Sequence, residues 1–214
     1  VKIREIDAMA GYPVLGKDAL DAEQRAFWDE LTLGPRGFYT GGAEAERLPD
    51  LYNAWLQFPA FGKLLIDLGG AVRSSPALPG KLRELVVLTT SAMLGAMVEF
   101  DFHVPFAQAE GLSDVLITAL KQGSEPDFGE EDERIVHAVN VQLLRTGCLS
   151  TATRCDALAA FGPDGVMLLV ANVTLYAATA WTTNIARVKL AEDFSADPDE
   201  LKDFFAGKDA KPAP

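Results

Sequence analysis

Residues 81–109 read KLRELVVLTTSAMLGAMVEFDFHVPFAQA, and the fold turns on whether this apolar run is helix or strand. Leu82, Leu85, Val86 and Leu88, then Met93 and Leu94, recur at helical spacing and give a broad core-facing side. The helix is expected to begin near Lys81, after the punctuation of Pro76, Pro79 and Gly80. Gly95 admits two readings: a break before a second helix carrying EFDFH, or a glycine that lets helices pack closely. Fourteen uncharged residues, Leu85 to Val98, separate Glu84 from Glu99, and His103 follows Glu99 by four. On a helix that spacing puts Glu99 and His103 on one face. Contact would fix the imidazole tautomer and raise its basicity, while apolar walls would push the carboxylate pKa upward. Such a pair can exchange a proton with a bound molecule near neutral pH. Pro105 cannot donate to the Asp101 carbonyl, so a bend or loosening is expected within one turn of His103.

The same periodicity extends in both directions. A first helix is expected after Asp18 or Asp21, through EQRAFWDEL with Phe27, Trp28 and Leu31 inward, followed by the glycine-rich LGPRGFYTGGAEAERLPD as a loop. Helices are predicted over Leu51–Gln57 and Phe61–Val72, and one capped by Ser113 runs to Gln122. Further helices extend to about Arg145, over Thr151–Phe161, and from about Pro163 to Lys189. Short alternating runs bounded by hairpin turns are scarce, so the fold class is all-α. The expected organisation is an N-terminal arm over 1–17, one helical domain over 18–192, and a peripheral tail over 193–214 rich in Asp, Lys, Ala and Pro.

Acidic residues outnumber Lys and Arg 31 to 19 in 214 residues, a formal charge of −12, which disfavours nonspecific binding to nucleic acid or anionic membrane. Small molecules and protein partners remain, and the substrate expected from Arg36 is anionic. The first residues, VKIREIDAMAGYPVL, show no signal-peptide core, and Cys148 and Cys155 form neither a disulfide framework nor a metal grouping. A cytoplasmic, reduced chain is the expectation. Val166–Ala186 is uncharged and long enough to cross a bilayer, but Asn172, Asn184 and its threonines favour a fully buried helix, in the core or at a subunit contact.

A Glu–His pair at this spacing is more often a structural contact than a catalytic one, and His137, between Val136 and Ala138, reads as structural. Asp101 reads as facing solvent or pairing with a basic side chain. Arg36, in GPRG, is the best anion receptor by context, since arginine grips a carboxylate with two parallel hydrogen bonds. Its alternative is an exposed loop arginine. There is no phosphate loop, nucleophile elbow, HExxH motif or histidine–cysteine metal cluster.

The run LPGKLRELVVLTTSAMLGAMVEFDFHVPFAQAEGLSDVLITAL resembles the core of the carboxymuconolactone decarboxylase family, which includes the alkylhydroperoxidase D proteins. The resemblance extends more weakly through GPRG, LYNAWLQFPAFGKLL, VHAVNVQLLRTGCLS and VANVTLYAATAWTTNIARV. It implies an all-α, alkylhydroperoxidase D-like bundle and a homo-oligomer: dimer, trimer or hexamer. In the peroxidase branch a C-x-x-C-x-x-x-H motif works with an upstream glutamate; here those positions hold Ala96, Glu99, His103 and Glu84. Both thiols are missing, so thiol peroxidase chemistry is rejected. Glu99 followed by His103 is similar to the decarboxylase branch, which implies a lyase using no metal or organic cofactor. On that resemblance His103 or Glu99 delivers the proton after loss of carbon dioxide, Glu84 holds or relays, and Arg36 binds a substrate carboxylate. Tyr39, Asn53, Trp55 and Asn184 are lesser candidates for lining the pocket. The alternatives are a non-enzymatic helical binding or assembly protein and, more distantly, a metal-dependent oxygen enzyme.

Overall fold

The computed structural model describes residues 12–189, and within them every regular element is helical. Asp21 opens α1 (Ala22–Leu33) with a capping box: its side chain accepts from the Gln24 amide, and the Gln24 side chain accepts from the Asp21 amide. The glycine-rich segment expected as loop carries two short turns of helix, α2 (Gly37–Thr40) and a 3₁₀ turn at Gly42–Glu44. Then come α3 (Asp50–Leu56), α4 (Pro59–Ser74), α5 (Gly80–Met93), α6 (Met97–Ala109), α7 (Asp114–Gln122), α8 (Glu131–Thr146) and α9 (Thr151–Ala186). The tail expected over 193–214, and residues 1–11 of the expected arm, lie outside the described residues.

Two compact units divide the described chain, 12–66 with 182–189, and 67–181. In the first, Phe27, Trp28 and Leu31 of α1 are buried, as their spacing requires, together with Leu48, Trp55 and Leu56. Gly62 is needed where α4 begins, because a Cβ there would lie 2.6 Å from the Phe27 ring and 2.8 Å from the Trp55 Cβ.

In the second unit α5 is central and packs on α6, α7 and α8. Its Leu82, Leu85, Val86 and Leu88 join Phe100, Leu116, Leu120, Ile135, Val136, Val139, Leu169 and Val173 in one buried cluster. A polar bond pins the register of α5 against α8: buried Asn140 donates to the Val86 carbonyl at 2.9 Å and accepts from Thr90 at 3.2 Å. Gly95 settles its two readings in favour of a break. With φ of 68°, in the left-handed region where a side chain is strained, it reverses the chain between α5 and α6. Helix α6 then runs through Pro105 to Ala109, and Ser113 caps α7 by accepting from the Leu116 amide.

Helix α9 carries a break and two unlike faces. Gly162, with φ 64° and ψ 178°, interrupts its regularity just before Pro163, which matches the two predicted stretches. It is long and apolar enough to cross a membrane by length and composition, yet only 28% of its most apolar window is buried within this one chain, so the core of the chain does not cover the whole helix. The reason is a second, uncharged but exposed face carrying Met167 and Trp181, while Asn172, Tyr176 and Ala180 face inward. Absence of charge along a sequence does not distinguish these faces.

Candidate active site

Helices α5 and α6 form an antiparallel pair in sequence order, joined by the Gly95 reversal, and this brings together residues nineteen apart. Glu84 projects from the first turns of α5, Glu99 from the first turn of α6, and His103 one turn further along α6. His103 Nδ1 lies 2.7 Å from Glu84 Oε2, and Nε2 lies 3.3 Å from Glu99 Oε1. All three are buried, at 3%, 6% and 4% exposure for Glu84, Glu99 and His103. The three residues proposed from sequence therefore converge as one buried carboxylate–imidazole–carboxylate cluster. Phe102, Phe106 and Tyr176 surround the imidazole with ring centroids 5.2–5.5 Å away.

Burial alone would push the His103 pKa down. The Glu84 charge, its hydrogen bond and the Glu99 contact outweigh that and raise the imidazole from 6.5 to about 9. Burial likewise pushes the Glu84 carboxyl up, but His103, then Arg73 and Arg83, hold it below its ordinary value. At neutral pH the cluster thus rests with an imidazolium held against the Glu84 carboxylate. Its resting form is an acid.

Two further residues complete the surroundings and were not singled out in the sequence. Arg73, in the last turn of α4, places Nη1 3.7 Å from Glu84 Oε1 and donates from Nη2 to the Tyr176 hydroxyl at 3.0 Å. Burial raises the Tyr176 phenol well above its ordinary pKa, so it stays neutral. Arg73 reads in sequence as a cation at a helix C-terminus, welcome there on dipole grounds. The available signal for Tyr176 was a phenol inside an uncharged helix, which needs a polar partner when buried.

The other candidates belong to the first unit, where each has a visible structural tie or setting. Arg36 donates to the Ile66 carbonyl at 3.3 Å. Buried Asn53 accepts from the Leu15 amide and donates to the Pro13 carbonyl. Trp55 donates to Thr182 at 3.3 Å, Tyr39 meets Phe38 edge to face at 5.3 Å, and Asn184 lies exposed near the end of α9. In the second unit, His137 packs on Phe128 at 5.0 Å and burial lowers its pKa, which fits its structural reading. Asp101 pairs with Lys121 at 2.6 Å. Among the described residues no group of three or more His, Cys, Asp and Glu side chains is arranged to hold a metal ion.

The all-α bundle that carries this buried cluster is alkylhydroperoxidase D-like in fold. Residues 59–141 match the carboxymuconolactone decarboxylase family. The fold is similar to the crystal structure of an alkylhydroperoxidase AhpD core, an uncharacterized peroxidase-related protein from Ralstonia eutropha JMP134. The two share 13% identity and a TM-score of 0.68, over 90% of this chain and 98% of that one. No curated protein sequence matches the chain. Within the matched segment 59–141 the chain is thus carboxymuconolactone decarboxylase-like, its fold is AhpD-like, and it has no C-x-x-C redox pair: the two cysteines, Cys148 and Cys155, lie outside that segment and are exposed.

Proposed function

We propose that the protein is a cofactor-independent, decarboxylase-like lyase that acts on a small carboxylated lactone or aromatic-derived compound by Glu/His proton transfer. The observation that carries this reading is the buried Glu84–His103–Glu99 cluster, with a carboxylate 2.7 Å from one ring nitrogen and 3.3 Å from the other, a setting that favours the protonated imidazole. Breaking the carbon–carboxylate bond releases carbon dioxide and sends the electron pair into a conjugated carbonyl, giving an enolate that needs a proton at carbon. An imidazolium is suited to that delivery. The 2.7 Å contact with Glu84 holds one ring nitrogen, so the proton leaves from the looser Nε2 side, directly or through Glu99. Glu84 then stabilises the imidazolium as it reforms from solvent.

The test is deuterium incorporation and carbon dioxide release across a panel of unsaturated lactones and keto acids. His103→Gln keeps a hydrogen-bonding side chain between the carboxylates but cannot pass a proton, and should lower the rate about 100-fold or more. Undiminished turnover in that variant would reject the assignment.

We also infer a cytoplasmic homo-oligomer, a dimer, trimer or hexamer. Met167, Thr174 and Trp181 stand at seven-residue steps along α9 and are exposed, with Met167 at 63% and Trp181 at 55%. Light scattering at micromolar concentration should report a multimer that Trp181→Glu disrupts. A wild-type monomer would dispose of the assembly.

A further inference from the structure

Around His103 the charges differ sharply in their access to water. The side chains of Glu84, His103 and Glu99 are 4%, 5% and 8% exposed, whereas that of Arg73, paired with the same Glu84, is 32% exposed. Arg73 is therefore where the buried cluster meets solvent. It is not the main counter-ion of Glu84. His103 holds that carboxylate at hydrogen-bond distance, while the guanidinium stands at 3.7 Å from the other oxygen, too far for a hydrogen bond. The firmer tie of Arg73 is the 3.0 Å bond to the Tyr176 oxygen. Tyr176 in turn sets its ring edge to face against the imidazole at 5.2 Å. One buried phenol thus fixes the guanidinium and the imidazole relative to each other.

Nearby charge favours an anion at this edge. Arg83, half-buried on the next helix, donates to the Leu78 carbonyl at 2.6 Å, and its pKa is lowered by burial and then by the like charge of Arg73. Two guanidinium groups that feel each other's charge gain from an anion between or beside them, although Glu110 and Glu84 offset part of it. The type of anion follows from shape and charge. A guanidinium fork matches a planar carboxylate with two parallel bonds, whereas a second negative charge, as on phosphate, would be opposed by Glu84 and Glu99.

We propose that Arg73 is the specificity-determining residue of this site: it binds a substrate carboxylate, with Tyr176 as its positioning residue. The inference rests on the proton-transfer reading for what happens at the other end of the molecule. One carboxylate, that of Glu84, bridges Arg73 and His103, so a ligand of a few carbon atoms reaches from the guanidinium to the imidazole edge. Arginine stabilises a bound carboxylate in its charged form, whereas loss of carbon dioxide must move that charge off the carboxylate and into the enolate, which an arginine gripping the carboxylate would oppose. The group on Arg73 is therefore one that the reaction retains.

The probe is crotonate, a four-carbon unsaturated monocarboxylate, compared with methyl crotonate and inorganic phosphate by calorimetry and by the ¹⁵N resonance of the Arg73 guanidinium. Wild-type protein should bind crotonate with a shift of that resonance, and methyl crotonate and phosphate at least tenfold more weakly. Arg73→Gln should lose tenfold or more in crotonate affinity, Arg73→Lys should recover part of it, and Tyr176→Phe should weaken it by a smaller factor. Circular dichroism checks that each variant is folded, and the wild-type comparison decides the matter even where Arg73→Gln does not fold. Equal binding of the ester, no binding of crotonate, or full affinity in a folded Arg73→Gln variant overturns the anchor. Proton exchange with affinity independent of Arg73 sinks the anchor alone. Arg73-dependent binding with no exchange on any compound sinks the lyase reading alone.

Discussion

His103→Leu will destabilise the fold by about 3–5 kcal/mol at pH 7, the range for removing one partner of a buried ion pair. The loss comes from charge, since leucine nearly matches histidine in volume and suits the neighbouring Phe106 and Phe102. Two carboxylates, each under 9% exposed, would face one another with the cation between them gone. Glu84 keeps Arg73 at 3.7 Å, but the contact of Glu99 with the imidazole disappears. Glu84→Leu should cost less, because His103 can shed its proton and remain as a neutral imidazole bonded to Glu99. Replacing all three residues with leucine should recover much of the stability, since buried ion clusters are commonly no better than apolar packing of equal volume. Urea unfolding of the four proteins measures this order. The His103→Leu deficit should also shrink as pH is lowered, because with the cation gone burial favours the neutral form of a carboxyl. A His103→Leu protein as stable as the wild type at pH 7 would mean that the carboxylates already rest protonated.

How much of this could be read in the sequence depends on the range of each contact. Glu99 and His103 touch because they are one helical turn apart, which needs only the 3.6-residue period. Glu84 reaches His103 only because the chain reverses at Gly95, and spacing left that glycine with two readings; its role came instead from family resemblance. Arg73 meets Glu84 and Tyr176 across three helices, a geometry no local pattern encodes. Arg36, flanked by glycines, had the more conspicuous setting, but conspicuous loops do not report which cations lie beside a buried carboxylate. Along α9 the sequence left core and subunit contact open for a related reason: Met167 and Trp181 are as apolar as the residues that pack inward, so composition could not separate the two faces.

The cluster also gives the stability a pH window of predictable sign. His103 has its folded pKa raised from 6.5 to about 9, so its contribution is complete below pH 6.5 and is lost as pH rises through about 9. The full shift corresponds to about 3 kcal/mol, an order-of-magnitude figure for a wholly buried group. Glu84 acts in the opposite direction: its folded pKa is depressed, so its contribution is complete above 4.5 and is lost as pH falls through the folded value. The two overlap fully between 4.5 and 6.5. His137, whose neutral form is favoured by burial, withdraws stability as pH falls below 6.5 and trims the acid side of that plateau. On the alkaline side the sign is unopposed by it. Unfolding free energies measured in urea at pH 6.5 and pH 9.5 should therefore fall by a few kcal/mol in the wild type. His103→Gln, which carries no titrating group at that position, should lose this alkaline slope. Equal slopes in the two proteins would show that the imidazole is already neutral at pH 6.5, and the acid role assigned to it would go with its charge.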